Sequence, residues 1–401
     1  MSDKSRQKFV CKHPWAHFEV NNPNGDVTMC CMNDTVLGNV NEDSVADIWN
    51  GEKFQKMRSR MLEEGAHAFC PHTCPVLRGG KKYENLDWYT ELSEDGEVRQ
   101  NAELNEDEYK ARKVKLDSLP RWFRFTYSYA CNLDCYHCYQ REDAKMSLKL
   151  PAEFMEQVEE YARVAQMVYP FGGEPFFFSP VLDFLKNHPN NGEGRFYFIT
   201  NATILTDKIY ETLARLPIHC MAVSLDAATP ESFETLRLRG RKGDWNEVMA
   251  NMARLQELKR RKEFLFTTSM TLNSVNALEI ETFVDLALSF EAEPLVMLVA
   301  NPFQTVDFQK RFLMFTPDQF EEMAAQIERS LPKVREAGFE DAETYLLQLQ
   351  KSLSYHRQYD NKPAKLAIKN VARKVYHALP EQLQIPARRA LQEIRNRRFE
   401  G

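Results

Sequence analysis

The chain has 401 residues, of which 43% are hydrophobic and 27% charged, as is ordinary for a folded protein of two to three domains. With only 15 glycines and 19 prolines it is neither collagen-like nor of low complexity, and no stretch of about 18 apolar residues predicts a transmembrane helix. The net charge of −6, without a basic and aromatic surface pattern, argues against nucleic-acid binding.

The N-terminal segment has no apolar signal region, which favours a cytoplasmic location. In that reducing compartment, nine cysteines indicate metal binding or catalysis rather than disulfides. Cys220 stands alone, and we expect it to be packed in the core. The other cysteines form two groups: Cys11, Cys30, Cys31, Cys70 and Cys74, then Cys131, Cys135 and Cys138.

The first cysteine group lies in a short N-terminal module. NNPNGDVTMCC predicts a hairpin whose second strand ends at Cys30 and Cys31. Because neighbouring strand residues face opposite ways, only one of these two cysteines is expected to bind a given centre. A turn and one amphipathic helix follow over 37–62, and CPHTC closes the module. The charged stretch 81–119 predicts a long connection to the next domain.

Strands alternate with helices from residue 121 onward. Strands are predicted at 121–129, 167–171, 195–200, 218–226, 264–273 and 294–301, and helices at 151–165, 180–188, 206–216, 244–262 and 277–290. This alternation predicts an α/β fold with a parallel sheet. The segment is long enough for about six βα units of roughly 31 residues each.

The second cysteine group reads CNLDCYHC, a C-x3-C-x2-C pattern. A closed zinc site takes four ligands, and His137 is awkwardly placed between two of the cysteines to be the fourth. Three close thiolates are more typical of an iron–sulfur cluster with one iron left open for chemistry.

Polar residues follow several of the predicted strands, at the edge where βα folds place their chemistry. Gly172-Gly173-Glu174-Pro175 follows the second strand, Thr200-Asn201 the third and Ser224-Leu225-Asp226 the fourth. Strand alternation predicts that Ser224 and Asp226 share a face.

At CNLDCYHC and GGEP the sequence resembles the radical SAM superfamily, and its CNLxCxHCY form resembles the SPASM/twitch branch. The resemblance implies a partial (β/α)6 TIM-like barrel in which Cys131, Cys135 and Cys138 hold a [4Fe–4S] cluster that binds S-adenosylmethionine. It places the cofactor against Gly172, Gly173, Glu174, Asn201, Ser224, Asp226, Arg237 and His137. Arg239 and Arg241 compete with Arg237 for the cofactor carboxylate. Ala202 and Ala227 stand where the family commonly has glycine.

The first cysteine group resembles the twitch or SPASM auxiliary module. The resemblance implies a second [4Fe–4S] cluster on Cys11, Cys30, Cys70 and Cys74, with Cys31 as the alternative to Cys30. The closing C-x3-C pair and the position before the barrel depart from the common pattern, and a zinc-binding knuckle is the alternative. The resemblance covers about 1–80 and 121–304. The predicted domains are the module at 1–80, a charged linker at 81–119, the barrel at 120–304 and a helical, basic extension at 305–401.

The resemblance implies an enzyme that reductively cleaves S-adenosylmethionine to a 5′-deoxyadenosyl radical. That radical would take a hydrogen atom from a small-molecule, sugar-type or peptide substrate, with flavodoxin or ferredoxin as reductant. A peptide maturase of the same superfamily and a non-catalytic iron–sulfur electron carrier or scaffold are the alternatives.

Residues 305–401 begin with a predicted helix at 315–331, introduced by Thr-Pro-Asp. The last part, 351–401, has 12 Lys and Arg against 4 Asp and Glu. The segment predicts amphipathic basic helices. We expect a solvated helix packed on the barrel, with docking to an acidic partner or a membrane surface as the alternatives.

Overall fold

The computed structural model describes residues 9–71, 74–78, 96–138, 140, 147–189, 195–238, 244–299 and 312–360. They form two compact units. The first unit contains the described parts of Met1–Asp134, Gln140–Ser224 and Asn246–Thr267, and the second contains those of Cys135–Tyr139, Leu225–Trp245 and Thr268–Gly401. No helix within the described residues is long and apolar enough to cross a membrane.

The N-terminal part of the first unit consists of short elements. They are α1 (His13–Ala16), β1 (His17–Val20), β2 (Asp26–Thr28), β3 (Gly38–Asn39), α2 (Val45–Trp49), α3 (Glu52–Glu64), a 3-10 turn (Ala66–Ala68), α4 (Pro75–Arg78) and α5 (Glu97–Lys110). The predicted hairpin is confirmed, since β1 and β2 pair antiparallel. However, β2 ends at Thr28, and so Cys30 and Cys31 follow the strand rather than ending it.

The prediction of one helix within 37–62 is wrong, because the structure has two. Ser44 caps α2 by accepting a hydrogen bond from the Asp47 backbone. Gly51 then has an extended backbone, with φ −68° and ψ 163°, which ends the first helix and starts α3. The extended Gly51 thus separates the two helices.

The N-terminal module shares a sheet with the βα series. Strand β1 pairs in parallel with β4 (Trp122–Thr126), with Phe18 opposite Phe123. The rings of these two residues stack at 5.4 Å, and Phe18 also stacks on Phe54 of α3 at 6.2 Å. A continuous aromatic core therefore joins the module to the first strand of the βα series.

The charged stretch that was predicted to be a connection contains α5. Glu106 forms an ion pair with Lys12 at 3.0 Å, and Asn105 donates a hydrogen bond to the Trp15 carbonyl at 2.6 Å. Helix α5 therefore packs against α1, and this part of the stretch is folded onto the module.

The predicted βα series is confirmed, and it contains one helix more than predicted, at Pro230–Arg237. Its elements are β4, α6 (Ala152–Ala162), β5 (Met167–Phe171), α7 (Ser179–Asn187), β6 (Arg195–Thr200), α8 (Asp207–Arg215), β7 (Ile218–Ser224), α9 (Pro230–Arg237), α10 (Trp245–Arg261), β8 (Leu265–Leu272), α11 (Ile280–Ser289) and β9 (Glu293–Leu298). In the first unit the strand order is β3-β2-β1-β4-β5-β6-β7. In the second unit β8 and β9 are neighbours, and the Val299 amide after β9 donates a hydrogen bond to the carbonyl of Leu272, the last residue of β8. The pairs from β4 to β7 are all parallel, as predicted.

The predicted C-terminal helix is α12 (Pro317–Glu336), followed by α13 (Glu340–Tyr355) and one π-helical turn (His356–Asp360). Thr316 and Gln319 form a capping box at the start of α12, as the Thr-Pro-Asp signal indicates. Most of the basic segment lies outside the described residues, as do Arg239 and Arg241.

Candidate cofactor and cluster sites

The two glycines after β5 lie against the backbone that leads into Cys131. The Gly173 amide donates a hydrogen bond to the Ser128 carbonyl at 2.9 Å. A Cβ on Gly172 would collide with the Ser128 carbonyl oxygen, and one on Gly173 with the Ala130 carbonyl oxygen. Glycine is therefore required here because the two chain segments touch through their backbones.

Glu174 is only 1% exposed, and its carboxylate is held by donors from the next strand end. The Thr200 hydroxyl donates to Oε1 at 2.8 Å, and the Asn201 backbone amide donates to Oε2 at 2.7 Å. The Phe176 amide gives a third contact at 3.3 Å. The structure thus brings together two predicted residues, Glu174 and Asn201, from adjacent strands.

Asn132, which is not among the predicted site residues, links the cysteine loop to the end of β6. Its side-chain oxygen accepts a hydrogen bond from Asn201 at 2.9 Å, and its amide donates to the Thr203 hydroxyl at 2.7 Å. The Asn201 amide nitrogen also lies 3.7 Å from the Cys131 sulfur. The position of Asn132 directly after Cys131 is the signal that identifies it in the sequence.

The turn after β6 forms without the glycine that is common in the family. Ala202 adopts φ 56°, in the left-handed region that glycine occupies more readily. The Asn251 side chain donates to the Ala202 carbonyl at 2.8 Å and supports this conformation. Strain of about 1–2 kcal/mol is expected for alanine in this region.

In the second unit, Asp226 is buried and contacts two of the predicted cofactor residues. Its Oδ2 accepts a hydrogen bond from Arg237 at 2.6 Å and lies 3.1 Å from His137 Nε2. The Thr271 amide donates to Oδ1 at 2.8 Å. Burial alone would raise the pKa of Asp226, but its interactions with His137 and Arg237 hold that pKa well below its usual range. Asp226 is therefore an anion that holds Arg237 and His137 in place.

Strand alternation does not relate Ser224 to Asp226 as predicted. Strand β7 ends at Ser224, and Asp226 has a left-handed φ of 60°. Within β7, Cys220 is buried and lies opposite Tyr197 of β6. The prediction that Cys220 is packed in the core is confirmed.

The N-terminal cysteines form a second site within the first unit. Burial raises the pKa of Cys11 to about 12, and Cys70 and Cys74 add to that increase. Burial raises the pKa of Cys70 likewise to about 12, with Cys74 as the second cause. These interactions place Cys11, Cys70 and Cys74 in one electrostatic neighbourhood.

Cys30 belongs to the same neighbourhood, because Cys11 is one of the groups that raise its pKa. Burial is the largest cause of that increase, and Glu19 and Cys31 contribute more than Cys11 does. Cys30 is 8% exposed, whereas Cys31 is exposed. This donor set fits an iron–sulfur cluster, because buried thiols become stable thiolates when iron supplies the compensating charge. Within the described residues, no three His, Cys, Asp or Glu side chains converge closely enough for a single metal ion.

Two family models match the chain. Residues 125–287 match the radical SAM superfamily, and residues 11–75 match the iron–sulfur cluster-binding domain called SPASM. Among curated proteins, the AdoMet-dependent heme synthase of Methanosarcina barkeri is 27% identical over 181 residues. That alignment covers 43% of this chain and 49% of the heme synthase, so the chain spans about half the length of this relative.

Solved structures also resemble the chain at low identity. Native anSMEcpe with bound AdoMet is 17% identical with a TM-score of 0.42, covering 53% of this chain and 60% of that one. Streptococcus suis SuiB bound to the precursor peptide SuiA is 15% identical with a TM-score of 0.41, covering 82% of this chain and 71% of that one.

Proposed function

We propose that this chain, which carries a radical SAM domain preceded by a SPASM iron–sulfur domain, abstracts a hydrogen atom from an organic substrate. The two domains imply [4Fe–4S] clusters and S-adenosylmethionine. Cys131, Cys135 and Cys138 are the ligands of the SAM cluster in this proposal. Cys11, Cys30, Cys70 and Cys74 are those of the auxiliary cluster.

The observation that carries the proposal is the packing of the two glycines after β5 on the backbone that enters the cysteine motif. Gly173 is hydrogen-bonded to Ser128, three residues before Cys131, and the neighbouring Glu174 is a buried carboxylate. A carboxylate in a site of low dielectric constant binds an ammonium group strongly. This arrangement supports Glu174 as the partner of the cofactor's amino group.

When bound, the SAM cluster and S-adenosylmethionine supply a 5′-deoxyadenosyl radical after one-electron reduction by a carrier such as flavodoxin or ferredoxin. The residues of this chain position the reactants. Arg237 would pair with the cofactor's carboxylate, and Asp226 orients the guanidinium through its 2.6 Å hydrogen bond. Ser224, at the end of β7, is a further proposed hydrogen-bonding residue.

The auxiliary cluster would serve the substrate half of the reaction, by binding substrate or accepting its electron. Radical generation needs the open-iron cluster, its ligands and an electron, whereas the substrate's C–H bond must also be held beside the cofactor. The curated relative is named as a heme synthase, which supports a small-molecule substrate over a peptide. In this proposal the chain acts in the cytoplasm.

The first experiment tests for two clusters and for catalysis. Anaerobically reconstituted protein should hold about eight irons, four per cluster. A Cys131→Ala/Cys135→Ala/Cys138→Ala variant should keep about half of them and, under dithionite, make no 5′-deoxyadenosine. Cys220→Ala is the matched control and should keep both properties. Iron without cleavage in the parent would favour an electron carrier, and stoichiometric zinc at the N-terminal site would favour a zinc knuckle.

The second experiment tests the division of labour between the clusters. A Cys70→Ala/Cys74→Ala variant should still cleave S-adenosylmethionine slowly in the absence of substrate. The comparison is made at equal occupancy of the SAM cluster. Complete loss of this background cleavage would mean that the N-terminal module acts in cofactor binding or electron delivery.

A further inference from the structure

A buried ion pair joins the N-terminal module to the first strand of the βα series. Glu19 of β1 lies opposite Arg124 of β4, and its Oε2 is 2.8 Å from an Arg124 guanidinium nitrogen. The two side chains are only 5% and 11% exposed. Burial alone would raise the pKa of Glu19, but the Arg124 charge and His17 lower it to about 2, and so the pair is ionised at neutral pH.

Contacts lead from the Glu19 end of this pair to Cys11, a proposed ligand of the auxiliary cluster. The Cys11 sulfur lies 3.1 Å from His13 Nδ1. The His13 and His17 rings are 3.9 Å apart, and His17 Nδ1 is 3.7 Å from Glu19 Oε1. His13 and His17 thus form a continuous set of contacts between the Glu19 carboxylate and the Cys11 sulfur.

The Arg124 end lies on aromatic rings. Its guanidinium carbon is 4.4 Å from the centre of the Phe171 ring and 5.4 Å from that of Tyr169. The neighbouring Trp122 and Met167 are also buried. Water and salt therefore screen the two charges weakly, and their fields extend to the surrounding groups.

The hairpin also connects Glu19 to Cys30. Glu19 lies opposite Thr28 of β2, and the Thr28 hydroxyl donates a hydrogen bond to the Cys30 carbonyl at 3.2 Å. The ion pair is therefore linked to two of the proposed ligands, to Cys11 through the histidines and to Cys30 across the hairpin.

Stability does not account for such a pair, because desolvation offsets most of the attraction between two buried charges. The reduction potential of an iron–sulfur cluster, by contrast, depends directly on nearby charge and solvent exposure. We propose that Glu19 and Arg124 are positioning residues that set the reduction potential of the auxiliary cluster. This inference rests on the proposed function, which assigns that cluster to Cys11 and its neighbours.

The two charges are expected to act with opposite sign. Reduction adds an electron to the cluster, so the Glu19 carboxylate disfavours it and the Arg124 guanidinium favours it. Glu19→Gln should therefore raise the midpoint potential, and Arg124→Met should lower it. The double variant should return towards the parent value. Glu64→Gln, which removes a solvent-exposed carboxylate from α3 of the same module, is the matched control and should leave the potential unchanged.

The measurement is a redox titration followed by electron paramagnetic resonance. It uses the full chain carrying Cys131→Ala/Cys135→Ala/Cys138→Ala, so that the auxiliary cluster is the one observed. Absence of iron from this background would overturn the proposed function itself. With about four irons bound, shifts of the same sign in both single variants, or shifts no larger than that of Glu64→Gln, would overturn the inference.

Conservative variants keep the test decisive if Glu19→Gln or Arg124→Met does not fold. Arg124→Lys and Glu19→Asp retain the charges and should retain a potential near that of the parent. If Glu19 and Arg124 had a purely structural role, these variants would lose iron in proportion to their loss of stability. The midpoint potential would then not shift according to the sign of the charge that is changed. That result would also overturn the inference.

Discussion

The Glu174 carboxylate accepts a hydrogen bond from the Thr200 hydroxyl at 2.8 Å, and this contact ties the loop after β5 to the last residue of β6. The two residues are 26 positions apart in the chain. They meet because the carboxyl ends of neighbouring parallel strands lie at one edge of the sheet. The carboxylate is thereby held in a fixed orientation before any ligand binds.

Glu174→Gln should weaken the binding of S-adenosylmethionine. A hydrogen bond to a charged group contributes about 1.5–3 kcal/mol, which corresponds to a Kd roughly 10- to 150-fold higher. Isothermal titration of reconstituted protein measures the effect. Glu156→Gln makes the same charge change at an exposed position of α6 and should have no effect. Equal affinities for the two variants would remove Glu174 from the cofactor site.

Gly173→Ala should reduce occupancy of the SAM cluster. The added methyl group would collide with the Ala130 carbonyl oxygen and displace the segment that enters Cys131. Iron in the variant should fall from about eight towards about four per chain. Gly338→Ala is the control, because a Cβ there meets nothing within 4 Å although φ is +75°. It should lower Tm slightly and leave the iron content unchanged, and an equal iron content in both variants would contradict the packing argument.

Cys30→Ala and Cys31→Ala should differ in their effect on the auxiliary cluster. Each of the two interacts with another cysteine of the group, Cys30 with Cys11 and Cys31 with Cys74. They differ in burial, since Cys30 is 8% exposed and Cys31 is exposed. We expect Cys30→Ala to lose most of the auxiliary-cluster iron and Cys31→Ala to retain it. Iron analysis in the background that lacks the SAM-cluster cysteines measures this directly. The opposite pattern would make Cys31 the ligand.

His188 should make the stability of the fold depend on pH. Burial, with the Arg215 charge as a second cause, lowers the pKa of His188 to about 4. In the unfolded chain the same group takes up a proton near pH 6.5. Stabilisation is therefore complete above about pH 6.5 and decreases as the pH falls towards 4.

Urea unfolding of the parent and of His188→Phe at pH 7.5 and 5.0 tests this. Phenylalanine keeps an aromatic ring against Phe184 and Phe196 and removes the titrating group. The parent should lose more unfolding free energy between the two pH values than the variant does. Equal losses would show that His188 is not the group responsible.

Local patterns were sufficient to predict most of the βα series. The strands at Met167–Phe171 and Arg195–Thr200 have the predicted bounds, because runs rich in aromatic and β-branched residues favour strands between polar turns. The Thr316 capping signal also depends only on neighbours along the chain, and so it could be read directly. The CNLDCYHC and GGEP motifs identified the candidate site for the same reason, since their residues are close in sequence.

Contacts between distant segments were decided by the tertiary structure. Nothing in HFEV indicates that β1 would pair with β4, because backbone hydrogen bonds between strands do not depend on sequence. The charge-rich segment around α5 reads as a connection until its polar side chains meet partners on α1. The left-handed φ of Asp226 depends on the surroundings of the chain, and it determines that this carboxylate contacts Arg237. The sequence by itself thus determined the elements and the chemical groups, while the neighbours of each buried charge depended on how those elements pack.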